Sequence, residues 1–556
     1  MITTESKEAV LLRRIEASQA GSGCSVRVGD LSGDGRLDFV LVQPDNISDE
    51  RFFSHSVSAA TAYTADGELL WQLGTPAYDT DVCTADVPAQ IYDIDRDGYN
   101  EFLCVHDGFF CITDGRSGEL KRKFPLPDAE AHDCFVIANL DGSGYPQNII
   151  IKNRYHQLWA LDKNFNILWT YKGNIGHFPI VCDLNGDGRD EIIAGSAVLD
   201  ADGNILWEFD RTDFPPCMCV GDLDMNGEFS IIAGGDKTEA YSADGEIKWS
   251  LKSGTETNFL SLGNIRTDIY GSELTGYYKE QSENDCADGV FTVDYHGNTI
   301  FKEKRTDHCG YSNILTVYNF DGNCSEYLLC AQNSDKTPYL YDGYMNPIYK
   351  LSSCGKIIAA DIMGDGISQI IIYDGQNINI YSDSQRDLTI TSSKEARPQK
   401  RIFYNSTDYP YYLQDLSKNA IGYAIGQFAK PDIKVWAEQC TAEDTDEVMT
   451  RADFCILLVN ILNISGYTTD LFFDVSINDY YAPAIAALKS CGYIDDIIGK
   501  FAPTAPLTAE FAEKLITSAA GFNPLTTKSE DEELTKKDGA KLILQVIQNA
   551  AEKEDV

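Results

Sequence analysis

The sequence predicts an all-β fold, an eight-bladed β-propeller, followed by a smaller C-terminal α-helical domain. Three observations support this prediction. A nine-residue acidic loop recurs along the first three-quarters of the 556-residue chain. Each copy stands between short apolar runs typical of β-strands, and helical periodicity replaces this pattern after about residue 412. We therefore expect a propeller over residues 1–412, a linker over 413–431 and a helical domain over 432–556.

Three copies of the acidic loop are complete, and they begin at Asp30, Asp93 and Asp183. Side-chain oxygens fall at loop positions 1, 3, 5 and 9, and glycine stands at position 6. Alternate oxygen ligands around a sharp glycine turn are typical of a loop that wraps a hard cation, so the sequence predicts calcium as the cofactor. The predicted ligands are Asp30, Ser32, Asp34, Asp38, Asp93, Asp95, Asp97, Glu101, Asp183, Asn185, Asp187 and Glu191, with Asp222, Asp224 and Asn226 in a weaker copy.

Further weak copies of the loop extend the repeat along the chain. They begin at Asn139, Asn264, Asn319 and Asp361, and most spacings between successive starts are about 40 to 60 residues. This period is in the range of propeller blades. The loops are interpreted as staples that hold the blades together, and catalysis is expected elsewhere.

Each repeat shows four strand-like runs. The first run enters the acidic loop and the second leaves it. The third and fourth runs stand on either side of a hairpin signal, typically Asp-Gly, and the fourth ends in an aromatic residue, as at Trp71, Trp207 and Trp249. We expect these tryptophans to pack between blades, since packing is what all blades share. The run Ala9–Ile15 is a candidate closing strand for the last blade.

Composition narrows the function classes. The formal net charge is −41, which argues against a nucleic-acid partner because such proteins carry a basic stripe. No apolar run approaches the roughly 18 residues that span a bilayer, so no membrane partner is expected. The first residues lack a secretion signal. We expect an extracellular or cell-wall-associated monomer if a leader is missing from this sequence, with a cytoplasmic location as the alternative.

The topology identifies the face on which to look for a site. Since the acidic loop joins the first two strands of a blade, the strand-one starts and the turns between strands two and three must meet on the opposite face. Basic and aromatic residues recur at those positions in an acidic protein, which suits an acidic polysaccharide. The candidate residues there are His132, Asp133, Lys152, Arg154, Tyr155, His156, His177, Asn258, Lys279, His308 and Tyr311.

These residue types suit proton abstraction beside a carboxylate. A cation neutralises the acid, a base takes the carbon-bound proton, and an acid protonates the leaving oxygen. His177 is the candidate base, and Tyr155 or His132 is the candidate acid. Lys152 and Arg154 are the candidate carboxylate-binding residues, although turn lysines are more often simply solvated.

The chain resembles known families at these residues. The acidic loops resemble the calcium-binding FG-GAP-type repeat over about residues 20–385. The stretches 149–162, 176–209 and 401–410 resemble the family 11 rhamnogalacturonan lyases. That resemblance implies an eight-bladed propeller, several bound calcium ions, and β-elimination at the galacturonate of a rhamnose–galacturonate backbone. The family also has a small β-sandwich before the propeller, whereas here the first acidic loop begins at Asp30.

The C-terminal region has its own repeat. Thr450 stands three residues before Asp453 at the start of an amphipathic run, and Thr535 stands in the same relation to Asp538. With the stretch 499–516, these segments resemble S-layer homology repeats over about residues 430–556. The resemblance implies attachment to a cell-wall polymer, with Arg451 pairing with an acidic group on it. A purely structural helical domain is the alternative.

The leading functional hypothesis is a lyase that cleaves an acidic pectic backbone of the rhamnogalacturonan type. The second is a non-catalytic, calcium-stabilised propeller that binds carbohydrate at the cell wall. A third is a calcium-dependent protein-adhesion propeller.

Overall fold

The structure, a computed structural model, falls into two compact units. The first comprises Met1–Gly221, Phe229–Ile265 and Glu273–Gln414, and the second comprises Asp222–Glu228, Arg266–Ser272 and Asp415–Val556. The described residues are 6–45, 54–79, 87–211, 215–224, 228–266, 269, 271–281, 286–305, 313–322, 325–331, 337–389, 396–397, 404–405, 411–413, 433–442, 448–462, 464, 472, 474–475, 481–494, 500–524, 528–529 and 532–554.

The first unit is all-β, and its described residues form an eight-bladed propeller in which each blade is a sheet built on four antiparallel strands. Blade 1 contains Ser25–Gly29, Asp38–Pro44, Val57–Tyr63 and Leu69–Gly74; blade 2 contains Ala89–Tyr92, Glu101–His106, Phe109–Asp114 and Leu120–Pro125; blade 3 contains Cys134–Ala138, Asn148–Lys152, Gln157–Leu161 and Ile167–Lys172; blade 4 contains Ile180–Cys182, Glu191–Ala194, Ala197–Leu199 and Ile205–Glu208. Blade 5 contains Met218–Gly221, Ser230–Ala233, Thr238–Tyr241 and Ile247–Leu251; blade 6 contains Glu256–Gly263, Glu273–Gln281, Cys286–Val293 and Thr299–Lys304; blade 7 contains Asn313–Tyr318, Glu326–Ala331, Tyr339–Tyr341 and Pro347–Lys350; blade 8 contains Lys356–Ala360, Gln369–Tyr373 and Asn377–Ser382.

The chain start closes the propeller, as the sequence predicts. Val10–Glu16 pairs antiparallel with Asn377–Ser382 and is the outer strand of blade 8. Lys7–Glu8 pairs parallel with Pro347–Lys350 at the outer edge of blade 7. Two short strands further along the chain also join blades: Tyr404–Asn405 adds to blade 1, and Tyr411–Leu413 adds to blade 5.

Burial follows the position of a strand in its blade. In blade 3 the inner strand Cys134–Ala138 is buried throughout, whereas the outer strand Ile167–Lys172 alternates between exposed and half-buried residues. Inner strands of neighbouring blades contact one another. A strand covered on both faces reads as a continuous apolar run, which explains why the runs beside each acidic loop do not alternate.

Tryptophans join neighbouring blades. The indole Nε1–H of Trp169 donates to the carbonyl of Ala201 in the next blade at 2.9 Å, and Trp207 repeats this contact with Ala243 at 2.9 Å. Each ring packs on a hairpin glycine at positive φ, and a Cβ added at Gly203 would lie 2.5 Å from the Trp169 ring. Glycine therefore serves both needs of the turn, the left-handed backbone and the space for the indole.

The second unit contains the described helices. They are α1 (Ile433–Ala442), α2 (Arg451–Ile461), α3 (Ala482–Ser490), α4 (Ala509–Ala520) and α5 (Lys536–Glu554). Thr450 and Asp453 form the predicted capping box, in which Asp453 N–H donates to Thr450 Oγ1 at 3.1 Å and Thr450 N–H donates to Asp453 Oδ2 at 3.2 Å. Among the described residues, no helix is both long and apolar enough to cross a membrane.

Three helix starts in this unit meet in a closed ring of backbone hydrogen bonds. Met449 N–H donates to Leu534 O at 3.0 Å, Leu534 N–H to Leu507 O at 2.8 Å, and Leu507 N–H to Met449 O at 2.7 Å. Each of these residues directly precedes a threonine at which α2, α4 or α5 begins. The three segments are thus equivalent copies arranged around a common centre.

The closing strand is expected to contribute strongly to propeller stability. Ile15 is 2% exposed between blades 8 and 1, so Ile15→Ala should lower the free energy of unfolding by about 2–5 kcal/mol, measured by urea denaturation. Leu11→Ala is the control, because Leu11 is exposed on the same strand. Equal effects of the two substitutions would contradict this role for the strand.

Candidate active site

A buried group of charged residues lies in blade 3, where the first strand begins and the second strand ends. Lys152 Nζ lies 2.5 Å from Asp133 Oδ2, and Arg154 Nη1 lies 3.0 Å from Asp133 Oδ1. The Lys152 ammonium also donates to the carbonyl of Arg154 at 2.8 Å. The side chains of Lys152 and Asp133 are fully buried, and that of Arg154 is 5% exposed. One buried carboxylate therefore pairs with both the Lys152 ammonium and the Arg154 guanidinium.

Strand pairing places these three residues together. Cys134 is paired with Lys152 across the first two strands of blade 3, and Asp133 N–H donates to the Lys152 carbonyl at 3.1 Å. The residue before strand one and the end of strand two therefore lie side by side, as the topology argument expects. Lys152 is therefore neither a solvated turn lysine nor a side chain exposed to a substrate, because its side chain is fully buried. Any influence of its ammonium on a substrate acts through Asp133, Arg154 and the local field.

His177 lies beside this ion group. The rings of Tyr155 and His177 meet edge to face with centroids 5.4 Å apart, and the Arg154 guanidinium lies 5.1 Å from the centre of the Tyr155 ring. Burial and the cations of Arg154 and Lys152 lower the pKa of His177 to about 3, while the Asp133 carboxylate acts in the opposite direction. The imidazole is therefore neutral at physiological pH and can accept a proton.

Backbone contacts hold His177 against the turn of blade 3. Gly173 N–H donates to the carbonyl of His156 at 3.0 Å, and Ile175 N–H donates to that of Tyr155 at 3.2 Å. The thiol of Cys134 lies 3.7 Å from the carbonyl of His177 and donates to it. The segment that enters blade 4 is thus fixed to blade 3, and this explains why residues from two blades form one cluster.

Blade 1 adds Ser56 and Asp45, which the sequence did not identify; they lie with His55 on an insertion whose position the sequence did indicate. Ser56 Oγ lies 3.2 Å from Nδ1 of His132, the second candidate acid, and Ser56 N–H donates to Asp45 Oδ2 at 3.0 Å. The same Asp45 carboxylate bonds to Nδ1 of His55 at 2.8 Å. The long insertion between strands two and three of blade 1 therefore reaches the start of blade 3. No repeat pattern could show this, because the insertion occurs in one blade.

The other predicted substrate contacts lie elsewhere on this face or outside the described residues. His156 is exposed on the blade 3 turn. Asn258 belongs to a separate group on blade 6, where its amide, oriented to satisfy both neighbours, donates to Glu256 and accepts from Lys279 at 3.2 and 2.6 Å. His308, Tyr311 and the predicted metal ligand Asn226 lie outside the described residues.

The acidic loop at Asp183 contains carboxylate and amide oxygens of the kind that a hard cation binds. Asp183 folds the turn by accepting the N–H groups of Gly186 and Gly188 at 2.8 and 2.9 Å. The amide of Asn185 lies 2.9 Å from Glu191 Oε1, and an amide can turn to present its oxygen instead. Burial, together with the charges of Asp183 and Asp187, raises the pKa of Glu191 to about 7. An oxygen cage with this excess of negative charge suits calcium.

The other two complete loops contain cationic side chains of their own. In the loop at Asp93, the Lys121 ammonium lies 2.6 Å from Asp95 Oδ2 and 2.7 Å from Glu101 Oε1. In the loop at Asp30, Arg36 lies 2.6 Å from Asp34 Oδ2, and both carboxylate oxygens of Asp38 accept backbone N–H groups. In the fourth copy Asp222 is buried and Asp224 is half-buried. The three complete loops are therefore not equivalent.

Comparison with known proteins agrees with the propeller fold. Residues 149–389 match the family model described as "Rhamnogalacturonan lyase family 11, C-terminal domain". The rhamnogalacturonan exolyase YesX of Bacillus subtilis (strain 168) is 24% identical over 318 residues, which are 45% of this chain and 51% of that protein. The endolyase YesW of the same organism is 22% identical over 314 residues, 44% of this chain and 50% of that protein. This chain thus spans about half the length of these relatives.

A solved structure has a similar fold. The crystal structure of the exotype rhamnogalacturonan lyase YesX superposes with a TM-score of 0.52 at 19% identity, and the match covers 72% of this chain and 81% of that one. The propeller of this chain is thus similar in fold to that solved structure. The matched segment includes Lys152, Arg154, Tyr155 and His177.

The carboxylate of Asp133 should be essential to the stability of this site. Asp133→Asn removes the carboxylate that pairs with two buried cations, so we expect it to lower the free energy of unfolding by about 3–5 kcal/mol in urea denaturation. Asp128→Asn, which changes an exposed carboxylate nearby, should have little effect. An unchanged urea midpoint for Asp133→Asn would show that the ion group is not coupled to folding.

The low pKa of His177 makes the stability of the folded protein depend on pH. Between about pH 6.5 and 3 the unfolded chain binds a proton that the folded His177 does not, so the contribution of this residue to stability falls as pH falls through that window. The folded imidazole should remain neutral from about pH 8 down to about pH 4. NMR of histidine-labelled protein, with the signal assigned from His177→Gln, measures this. Titration of the His177 signal near pH 6.5 would contradict the lowered pKa of this residue.

Proposed function

We propose that this protein is a polysaccharide lyase that cleaves an acidic, rhamnogalacturonan-type pectic backbone by β-elimination. The observation that carries the proposal is the neutral imidazole of His177 held beside the cationic group of Arg154 and Lys152. A base and a positive field in one place are what removal of a proton next to a carboxylate requires. The similarity to family 11 lyases supports the same substrate class.

The proposed chemistry begins at a uronate residue of the polymer. The uronate carboxylate lies in the positive field above Arg154, which stabilises the negative charge that develops as the proton leaves. His177 removes the proton from C5, the C4–O4 bond breaks, and a double bond forms between C4 and C5. Tyr155 or His132 gives a proton to the leaving oxygen. The products are a new hydroxyl end and an unsaturated uronate end.

The electrostatics of the site link substrate binding to catalysis. A base with a pKa near 3 is weak in the free protein. Burial contributes most to this low pKa, and the charges of Arg154 and Lys152 lower it further. The uronate carboxylate offsets those two charges. Bound substrate therefore raises the pKa of His177 toward the value at which a histidine base is effective. An uncharged sugar in the same place would not activate the imidazole.

The remaining parts of the chain receive structural roles in this proposal. Calcium would be held by Asp183, Asn185, Asp187 and Glu191 on the opposite face, where it supplies charge that stabilises a turn and takes no part in the reaction. The helical unit is an S-layer-homology-like module that attaches the enzyme to a cell-wall polymer, and the protein acts outside the cell. The ring formed by Met449, Leu507 and Leu534 supports a three-copy module.

In that module Arg451 is partly engaged internally. Its Nη1 donates to the carbonyl of Phe501 at 3.2 Å, and its guanidinium lies 4.9 Å from the centre of the Phe511 ring. If Arg451 binds a polymer, it would do so with the guanidinium N–H groups that do not donate to Phe501. Its present contacts tie the start of α2 to its neighbours.

Incubation with rhamnogalacturonan is expected to release unsaturated oligomers, detected by their ultraviolet absorbance. Since general acid–base catalysis contributes about 10²–10⁴-fold, His177→Ala should lower the rate by at least about 100-fold. His296→Ala, which removes an exposed imidazole from an outer hairpin, is the matched control and should retain activity.

Two outcomes would reject the lyase proposal. No unsaturated product from any uronide would reject it outright. Binding of the polymer without turnover, unaffected by His177→Ala, would support the non-catalytic carbohydrate-binding propeller instead.

A further inference from the structure

Blade 2 carries its own cation inside its acidic loop. The Lys121 ammonium reaches three of the four predicted calcium ligands of this loop, at 2.6 Å from Asp95 Oδ2, 2.7 Å from Glu101 Oε1 and 3.3 Å from Asp97 Oδ2. An ammonium has three N–H donors, so each can serve one carboxylate. The fourth predicted ligand, Asp93, accepts the backbone N–H groups of Asp97 and Gly98 at 3.1 and 3.0 Å.

Lys121 occupies a defined position in the blade. The pairing of the outer two strands shifts register by one residue between Leu120 and Arg122, so Lys121 is the extra residue of a β-bulge. The same shift recurs in blade 3 around Leu168, in blade 4 around Leu206 and in blade 5 around Lys248. The bulged residue therefore has the same place in each of these blades.

A lysine at this bulge reaches the acidic loop of its own blade in blade 2 and in blade 5. In blade 4 the bulged residue is Leu206, which is 50% exposed. In blade 5 it is Lys248, whose ammonium donates at 3.0 Å to Ser230, the residue at loop position 9. The side chain at the bulge can thus reach loop position 9 in two different blades.

We propose that Lys121 is the resident cation of the loop at Asp93, so that this loop is closed by a tethered ammonium and not by calcium. The ammonium neutralises the same carboxylates that a metal ion would bind, and it does so as part of the folded chain. This inference concerns the loop face and is independent of the proposed lyase activity.

The test counts calcium ions bound by the full chain. Calcium is removed with a chelator and titrated back by isothermal titration calorimetry. Lys121→Leu installs at the blade 2 bulge the residue that blade 4 has, and it should add one calcium ion per chain relative to the unchanged protein. Lys123→Leu is the matched control on the same strand, because the Lys123 ammonium lies over the Phe109 ring, and it should leave the count unchanged.

The reciprocal change places a lysine at the bulge of the outer strand of blade 4. Leu206→Lys brings an ammonium to the loop at Asp183 and should remove one calcium ion from the count. This variant decides the matter if Lys121→Leu does not fold. The proposal is overturned if Lys121→Leu binds the same number of calcium ions as the unchanged protein, or if Leu206→Lys retains every calcium ion.

Discussion

The contact between an outer-strand tryptophan and the hairpin glycine of the next blade is the constraint on which the propeller depends. Trp169 on Gly203 and Trp207 on Gly245 fix the distance and angle between neighbouring blades, and the indole N–H ties each ring to a backbone carbonyl. Phe124 stacks on Phe165 between blades 2 and 3 with ring centroids 5.0 Å apart. These contacts repeat around the ring, so all blades present corresponding loops on the same side.

The difference between the two faces of the propeller follows from this repeated geometry. Acidic loops gather on one face because each joins the first two strands of its blade. The opposite face receives strand starts and turns from neighbouring blades, so Asp133, Arg154 and His177 meet although they come from separate segments. The ion group is almost completely buried, and low polarity there makes its charge effective on the imidazole.

The sequence predicted the repeat and the face of the site, but not the contacts within it. Apolar runs, Asp-Gly hairpins and acidic loops are local signals, and they identified the eight blades and the closing strand. The burial of Lys152 depends on where a neighbouring blade packs, which no local pattern records. Lys121 was missed for a similar reason, because it reaches the loop at Asp93 from the outer strand of the blade. The contact between Ser56 and His132 joins different blades and could not be inferred from spacing.

The closing strand has a consequence for how this protein is made. Val10–Glu16 leaves the ribosome long before its partner Asn377–Ser382, which belongs to blade 8. At the usual rate of synthesis the early segment waits roughly 20 to 70 s for that partner. During this interval the strand has no pairing partner in its own blade, while blades built from adjacent segments can already form. Translation thus leaves the ring open until late, and a nascent chain that pauses before blade 8 would expose a sheet edge to which other chains could pair.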